Sequence, residues 1–252
     1  MRTRPTVGSD DRAVSDVVGY VLVFSLITLS IGAITVGGFS TLQDRQDAER
    51  INNAERAFDV LAGNMEDIYR DGAPSRATEM RLSGETLRYG ESVNVTVRDR
   101  TNSNINQTME LTPLVYADGD TEIVYAGGAV IRAEPGGSVM LREPPFVFRS
   151  DRTVLPFVRT TPSASRTSLT RDGTIRVETS RTNINATTRS GLSTASGLEL
   201  TVESSRGTAW EGYLESVAAQ DTDWDYVGDG TLEFETGVVS APRFRVLVRL
   251  VE

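Results

Sequence analysis

Asp11-Arg12-Ala13-Val14-Ser15-Asp16, followed without a break by VVGYVLVFSLITLSIGAITVGGF at residues 17–39, decides how the rest of this chain must be arranged. No charged side chain occurs from Val17 to Gln43. As a helix, residues 17–39 would span roughly 34 Å, close to the hydrocarbon thickness of a bilayer. Apolar side chains on every face suit lipid or a bundle of similar helices, and not the one-sided burial of a soluble surface helix. The competing reading is a secretory signal that is removed. Against it, the apolar run is longer than such signals carry, and no A-x-A-like site precedes Gln43.

The residues in front of the apolar run carry a resemblance. Arg12-Ala13-Val14-Ser15 places a basic and a small residue at the mouth of the hydrophobic segment. This resembles the class III signal of archaeal type IV pilin-like proteins, and the start Asp11-Arg12-Ala13-Val14-Ser15 is similar to haloarchaeal members. The resemblance implies that a membrane-embedded prepilin peptidase recognises Arg12 and Ala13, cuts between Ala13 and Val14, and leaves the apolar helix on the mature chain with Val14 as its new terminus. Two positions depart from the family's patterns: Asp16 stands where many archaeal members have proline, and Val18 where the bacterial pattern has glutamate. Asp16 has two readings, a charge partner for the Val14 amine of its own or a neighbouring chain, or a marker of the interfacial end of a membrane helix.

The composition narrows the chemistry. The chain has 252 residues, 35 acidic against 26 basic, and a formal charge of −9. Every basic residue is arginine. An acidic, lysine-free surface rich in serine and threonine is expected of a protein kept soluble in strong salt, a halophilic signature. The same balance argues against a nucleic-acid partner, which needs a basic face. Cysteine and histidine are absent, which removes disulfides, thiolate metal sites, and Ser-His-Asp or Cys-His catalysis. No residue is assigned a catalytic role, no spacing singles out a carboxylate pair for hydrolysis, and no cofactor is expected. Arg2, Arg4 and Arg12 precede the apolar run while Asp44 and Asp47 follow it, which favours the amino terminus inside and the bulk of the chain outside.

Within the run, Ala33 and Gly37 stand four apart with Gly32 and Gly38 beside them, a spacing that lets membrane helices approach closely. Beyond it, Ile51, Ala54, Phe58, Leu61, Met65 and Ile68 recur at steps of three and four on an otherwise charged helix. Tyr69-Arg70-Asp71-Gly72-Ala73-Pro74 supplies the stop, with glycine at the expected C-cap and proline just after it. Gly37-Gly38 is the place to expect a bend. The stripe admits two readings, packing on the chain's own globular domain, as the pilin-like resemblance implies, or a dimerising coiled coil next to the membrane.

From Arg76 onward the period changes to two. Val93, Val95 and Val97 oppose Asn94, Thr96 and Arg98; Ile105, Gln107, Met109 and Leu111 oppose Asn106, Thr108 and Glu110. Further strands are expected at 122–125, 137–141, 146–148, 174–179, 198–203 and 232–236. The last strand sets Phe244, Val246, Val248 and Leu250 against Arg243, Arg245 and Arg249. Asp118-Gly119, Gly127-Gly128, Gly136-Gly137, Asp172-Gly173 and Asp229-Gly230 read as turns, and residues 160–171 and 180–196 as long loops or edge hairpins. The expected fold class is therefore α+β, a long N-terminal helix, membrane-spanning then amphipathic, followed by an antiparallel β-sandwich-like domain. The expected organisation is a leader at 1–13, a transmembrane or filament-core helix at 14–40, an amphipathic helix at 41–72 and an extracellular β-rich domain at 76–252.

Sequons place possible N-glycosylation at Asn94, Asn106 and Asn185. Asp221, Asp223, Asp225 and Asp229 form the densest carboxylate group, weak candidates for a cation. They fail the EF-hand pattern, because Tyr226 stands where glycine is needed and Leu232 where the bidentate glutamate belongs; a solvated acidic loop is the better reading. Trp210, Trp224 and Tyr226 are either a sugar or partner surface or core anchors. The chain thus reads as a single-pass, pilin-like surface protein, a minor pilin or pilin-like subunit with the membrane, the prepilin peptidase and other pilin-like subunits as partners. The alternative is an anchored extracellular module that binds glycan, ion or protein and never polymerises.

Overall fold

The computed structural model describes residues 10–100, 106–163, 166–182, 190–221 and 223–252. It separates into two compact units, Met1–Arg50 and Ile51–Glu252. Helix α1 (Asp10–Tyr69) forms the described part of the first and, from Ile51, one element of the second. The helical backbone continues through Gly37 and Gly38. After α1 come β1 (Ser75–Tyr89), β2 (Val93–Asp99), β3 (Asn106–Leu111), β4 (Leu114–Asp118), β5 (Thr121–Ala126), β6 (Ala129–Glu134) and β7 (Gly137–Arg142). The chain continues as β8 (Thr153–Val154), β9 (Phe157–Pro162), β10 (Ser168–Arg181), β11 (Ser190–Glu203), α2 (Gly207–Ala218), β12 (Trp224–Gly228), β13 (Thr231–Ser240) and β14 (Arg243–Val251).

The strands make two sheets. An eight-stranded sheet runs β7-β6-β5-β4-β1-β10-β14-β9, and a smaller one runs β12-β13-β11-β2-β3 with β8 added to β13. Pairing is antiparallel throughout except for β9 with β14 and β8 with β13, which are parallel. The expected alternation holds in β2, whose Val93, Val95 and Val97 are buried, and in β14, whose Val246, Val248 and Leu250 are buried while Arg243, Arg245 and Arg249 are exposed. The α+β class is the one observed.

The large sheet is covered on both faces of its middle. On one face the stripe Ile51, Ala54, Phe58, Leu61, Met65 and Ile68 packs against Leu82, Leu114, Ile123, Tyr125, Val177 and Val248 among others. On the other, Val115, Val124, Ile131 and Phe157 meet the small sheet's Val95, Leu200 and Phe234 and helix α2. The unit is therefore three layers deep, helix on sheet on sheet. The stripe of α1 is consumed by its own domain, which removes the coiled-coil reading. Helix α1 stops where sequence expects: Gly72 takes φ +77°, and the Ala73 N–H returns to the Asp67 carbonyl at 3.0 Å.

Several expectations are corrected. Residues 146–148 are not a strand; Val147 makes an isolated bridge to Val154, and the rings of Phe146 and Phe148 fill the space beside Phe157, Trp224 and Phe234. Asp172-Gly173 is not a hairpin turn. It lies inside β10 opposite Ser83 and Leu82, next to a bulge that places Gly84 and Glu85 of β1 against Arg171, and Gly173 takes φ +131° without ending the strand. Of the stretches expected as long loops or edge hairpins, 160–171 holds the end of β9 and the start of β10, and 180–196 the end of β10 and the start of β11 at Ser190, while residues 164–165 and 183–189 lie outside the described residues. Asp229-Gly230 is a true turn, and a side chain at Gly230 would stand 2.4 Å from the Val202 carbonyl oxygen.

Candidate functional site

In the first unit, Asp16–Thr35 is a helical stretch with mean hydropathy 2.3, none of it buried by protein. Leu22, Leu29 and Ile34 are 65%, 73% and 74% exposed, so these side chains meet whatever surrounds the helix rather than the chain's own core. Three hydroxyls in this stretch are compatible with an apolar surrounding. Thr28 donates to the Phe24 carbonyl at 2.9 Å, Ser30 to Leu26 at 2.7 Å and Thr35 to Ile31 at 2.8 Å, so each is satisfied within the helix. Asp16 is exposed at the start of the stretch. Arg12, Ala13 and Val14 have helical backbone, and their side chains lie outside the described set, as do Gly37 and Gly38. At Gly32 nothing stands within 4 Å of where a Cβ would be, so close approach by a second helix is open there.

In the second unit, arginines from the large sheet hold the end of α1. Arg142 reaches Asp59 and Glu66, both at 2.8 Å; Arg132 reaches Glu55 at 3.1 Å; Arg76 reaches Asp67 at 2.8 Å; and the Asn64 amide donates to Thr78 Oγ1 at 2.9 Å. Half-exposed pairs of this kind add little stability each. Their use is registry, since they fix which turn of α1 lies over which strand. Beside them a cavity of about 380 Å³ is lined by Tyr69, Phe244, Arg142, Pro145, Pro156 and Pro242 among others. The Tyr69 and Phe244 rings lie 5.2 Å apart. Burial, with Glu66 nearby, pushes the Tyr69 hydroxyl up to about 12, so it is a neutral donor at any ordinary pH. Arg142 and Arg70 are both engaged with Glu66, so the cavity offers a largely apolar wall with the Tyr69 phenol and the Glu143 carboxylate as its polar groups.

The other sequence candidates separate. Asn106 is exposed at the first residue of edge strand β3; Asn94 is half-buried on β2, between β3 and β11, with its amide 3.5 Å from Glu203; Asn185 lies outside the described residues. Asp223 and Asp225 point outward around β12, and the Asp223 N–H donates to the Asp221 carboxylate at 3.2 Å. Asp229 sits in the following turn with φ 50°. Among the described residues no three acidic side chains converge as a metal site would require. Trp210 is fully buried and Trp224 is 7% exposed, both in the core between the sheets with Tyr226 packed against it, so they are anchors rather than a sugar platform.

Sequence reading missed helix α2. Its Ala209, Trp210, Tyr213, Leu214 and Val217 are buried at helical spacing, a signal visible in the chain. It also missed Arg206, buried just before α2 and paired with Glu122, which Arg88 shares at 2.7 Å. That juxtaposition brings together three segments remote in sequence and leaves no local pattern.

These features define a protein with an N-terminal helix long and apolar enough to cross a membrane, followed by a β-rich domain of two sheets. The chain belongs to a protein family of unknown function, DUF7289, matched over residues 12–252, which takes in the whole apolar helix. No curated protein and no solved structure matches it.

Proposed function

We propose that this is a pilin-like, membrane-anchored surface protein, a minor pilin or pilin-like subunit that prepilin peptidase processes after Ala13. The observation that carries the reading is the division of labour within α1. Its stripe from Ile51 to Ile68 is used up by the β-domain, so the apolar surface left for a membrane or a filament core is the exposed stretch from Val17 to Ile34. Arg12 and Ala13 serve recognition by the peptidase, Val14 becomes the terminus, and Asp16 is placed to pair with its amine. The amino terminus faces inward and the β-domain lies outside the cell. Amino-terminal mapping of protein extracted from native membranes tests this. We expect chains beginning at Val14; retention of Met1 to Ala13 in cells with an active peptidase would overturn the processing.

The second reading, an anchored module that never polymerises, is favoured by one feature, the slot beside Tyr69 and Phe244. Filaments that contain the protein would exclude it. On either reading the sequons face the outside, and glycan attachment should favour Asn106 over Asn94. An oligosaccharide transfer enzyme needs an accessible amide, which an edge strand supplies and an inner strand does not. Peptide mapping by mass spectrometry should find glycan on Asn106 with Asn94 bare; the reverse pattern would mean that β2 and β3 are not paired as described when modification occurs.

A further inference from the structure

The small sheet covers only part of the large sheet's second face, and the remainder is rich in arginine. Register places Arg81 of β1, Arg176 of β10 and Arg243, Arg245 and Arg249 of β14 on this face, with Arg159 of β9 opposite Arg245, against the carboxylates Glu79, Asp172 and Glu178, so that arginine is in excess by six to three. Arg176 and Arg249 share Glu178, and Arg243 reaches the Gln107 amide oxygen at 2.7 Å. Arg81, Arg159 and Arg245 have no carboxylate partner among the described residues, and the Arg159 Nε is buried without an acceptor. In a chain of charge −9 this is an unexpected concentration of guanidinium groups.

The outward face of the small sheet has the opposite character. One row across it reads Asp225, Glu233, Glu199, Arg98, with carboxylates on three adjacent strands, and another reads Glu203, Asn94, Glu110. Between them runs Thr231, Thr201, Thr96, Thr108, linked pairwise through their hydroxyls at 3.1 and 2.9 Å. Arg98 pairs with Glu199 and Arg100 with Glu233. Asp225, Glu235, Glu203 and Glu110 have no arginine partner among the described residues. Like charges side by side across strands are unfavourable unless a partner supplies the opposite sign.

We propose that the arginine face of one β-domain docks on the carboxylate face of a second copy of this chain. The contact is electrostatic and made by guanidinium forks on carboxylates, which keep their geometry at close range where salt screens longer-range attraction. The contact joins unlike faces of the two copies, so a copy whose arginine face is occupied still offers its carboxylate face. The inference goes beyond the reading above, since it concerns the β-domain and holds whether or not the leader is removed.

The test uses full-length chains in detergent micelles, followed by sedimentation. One variant carries Arg81→Glu and Arg245→Glu, which removes the excess positive charge of the arginine face; the other carries Asp225→Arg and Glu235→Arg, which removes the excess negative charge of the carboxylate face. All four side chains are exposed, so folding should be kept. We expect the unaltered chain to associate, each variant alone to lose association, and the two variants mixed to regain it. Failure of the mixture to associate, or association of either variant alone equal to the unaltered chain, would overturn the proposal. The absence of cysteine allows a second measurement in membranes. Ser180→Cys on the arginine face and Thr108→Cys on the carboxylate face should give disulfide-linked dimers when co-expressed and none when either is expressed alone; equal linkage from a single variant would mean a symmetric or random contact. A chain that begins at Val14 yet shows neither result would retire this inference and leave the proposed function standing.

Discussion

Replacing Phe58 by alanine is expected to lower the stability of the β-domain by about 3–5 kcal/mol, the range for truncating a buried aromatic side chain. Phe58 is fully buried at the centre of the α1 stripe, between Ala54 and Leu61 on the helix and facing the large sheet. Its removal loses the transfer energy of the ring and leaves a cavity that the sheet cannot close, because the sheet's other face is already packed against the small sheet and α2. The measurement is urea unfolding of the intact chain in micelles, read through tryptophan fluorescence, since Trp210 and Trp224 both lie in the far core layer. A signal from that layer responding to a helix residue on the opposite side would show that the three layers unfold together. Val60, two residues on and 55% exposed, is the control: Val60→Asp should change stability by less than about 0.5 kcal/mol. A loss below about 1 kcal/mol for Phe58→Ala would mean that the outer part of α1 is not docked.

Replacing Glu122 by glutamine is expected to cost about 3 kcal/mol, comparable in size but different in origin. Arg206 is 8% exposed and Glu122 is the carboxylate that compensates it, with Arg88 on the other oxygen. Ser205 accepts from the Arg206 Nη1 at 3.0 Å, which does not replace a charge. Without Glu122 a guanidinium group remains in a largely water-free position, and removing one partner of a buried pair is worse than removing both. The double variant Glu122→Gln with Arg206→Met should therefore recover most of the loss. If the single variant were as stable as the parent, Arg206 would have to reach water in solution.

The parts of this fold that announced themselves did so through one-sided burial. Strands β2, β11 and β14 alternate because one face of each is wet, and the stripe of α1 shows at helical spacing for the same reason. Strands β4, β5 and β6 gave a weaker signal. Leu114, Val115 and Tyr116, then Ile123, Val124 and Tyr125, are apolar in succession because the large sheet is buried on both sides there, so alternation disappears where burial is greatest. Asp172-Gly173 misled for a related reason. A dipeptide that favours a turn can also sit in a strand beside a bulge, and only the pairing of β10 with β1 tells the two apart.

Local chemistry alone determined where the apolar helix starts, how long it is, where α1 stops and that a β-rich domain follows, because charge, periodicity and capping act between residues close in the chain. Tertiary structure decided the rest. It decided that the α1 stripe is covered by the domain's own sheet, that the two tryptophans are core anchors, that Glu122 neutralises Arg206, and that arginines and carboxylates collect on faces of different sheets. Each of these depends on which segments pair across long stretches of sequence, and pairing is set by the joint packing of three layers, a property no single segment carries.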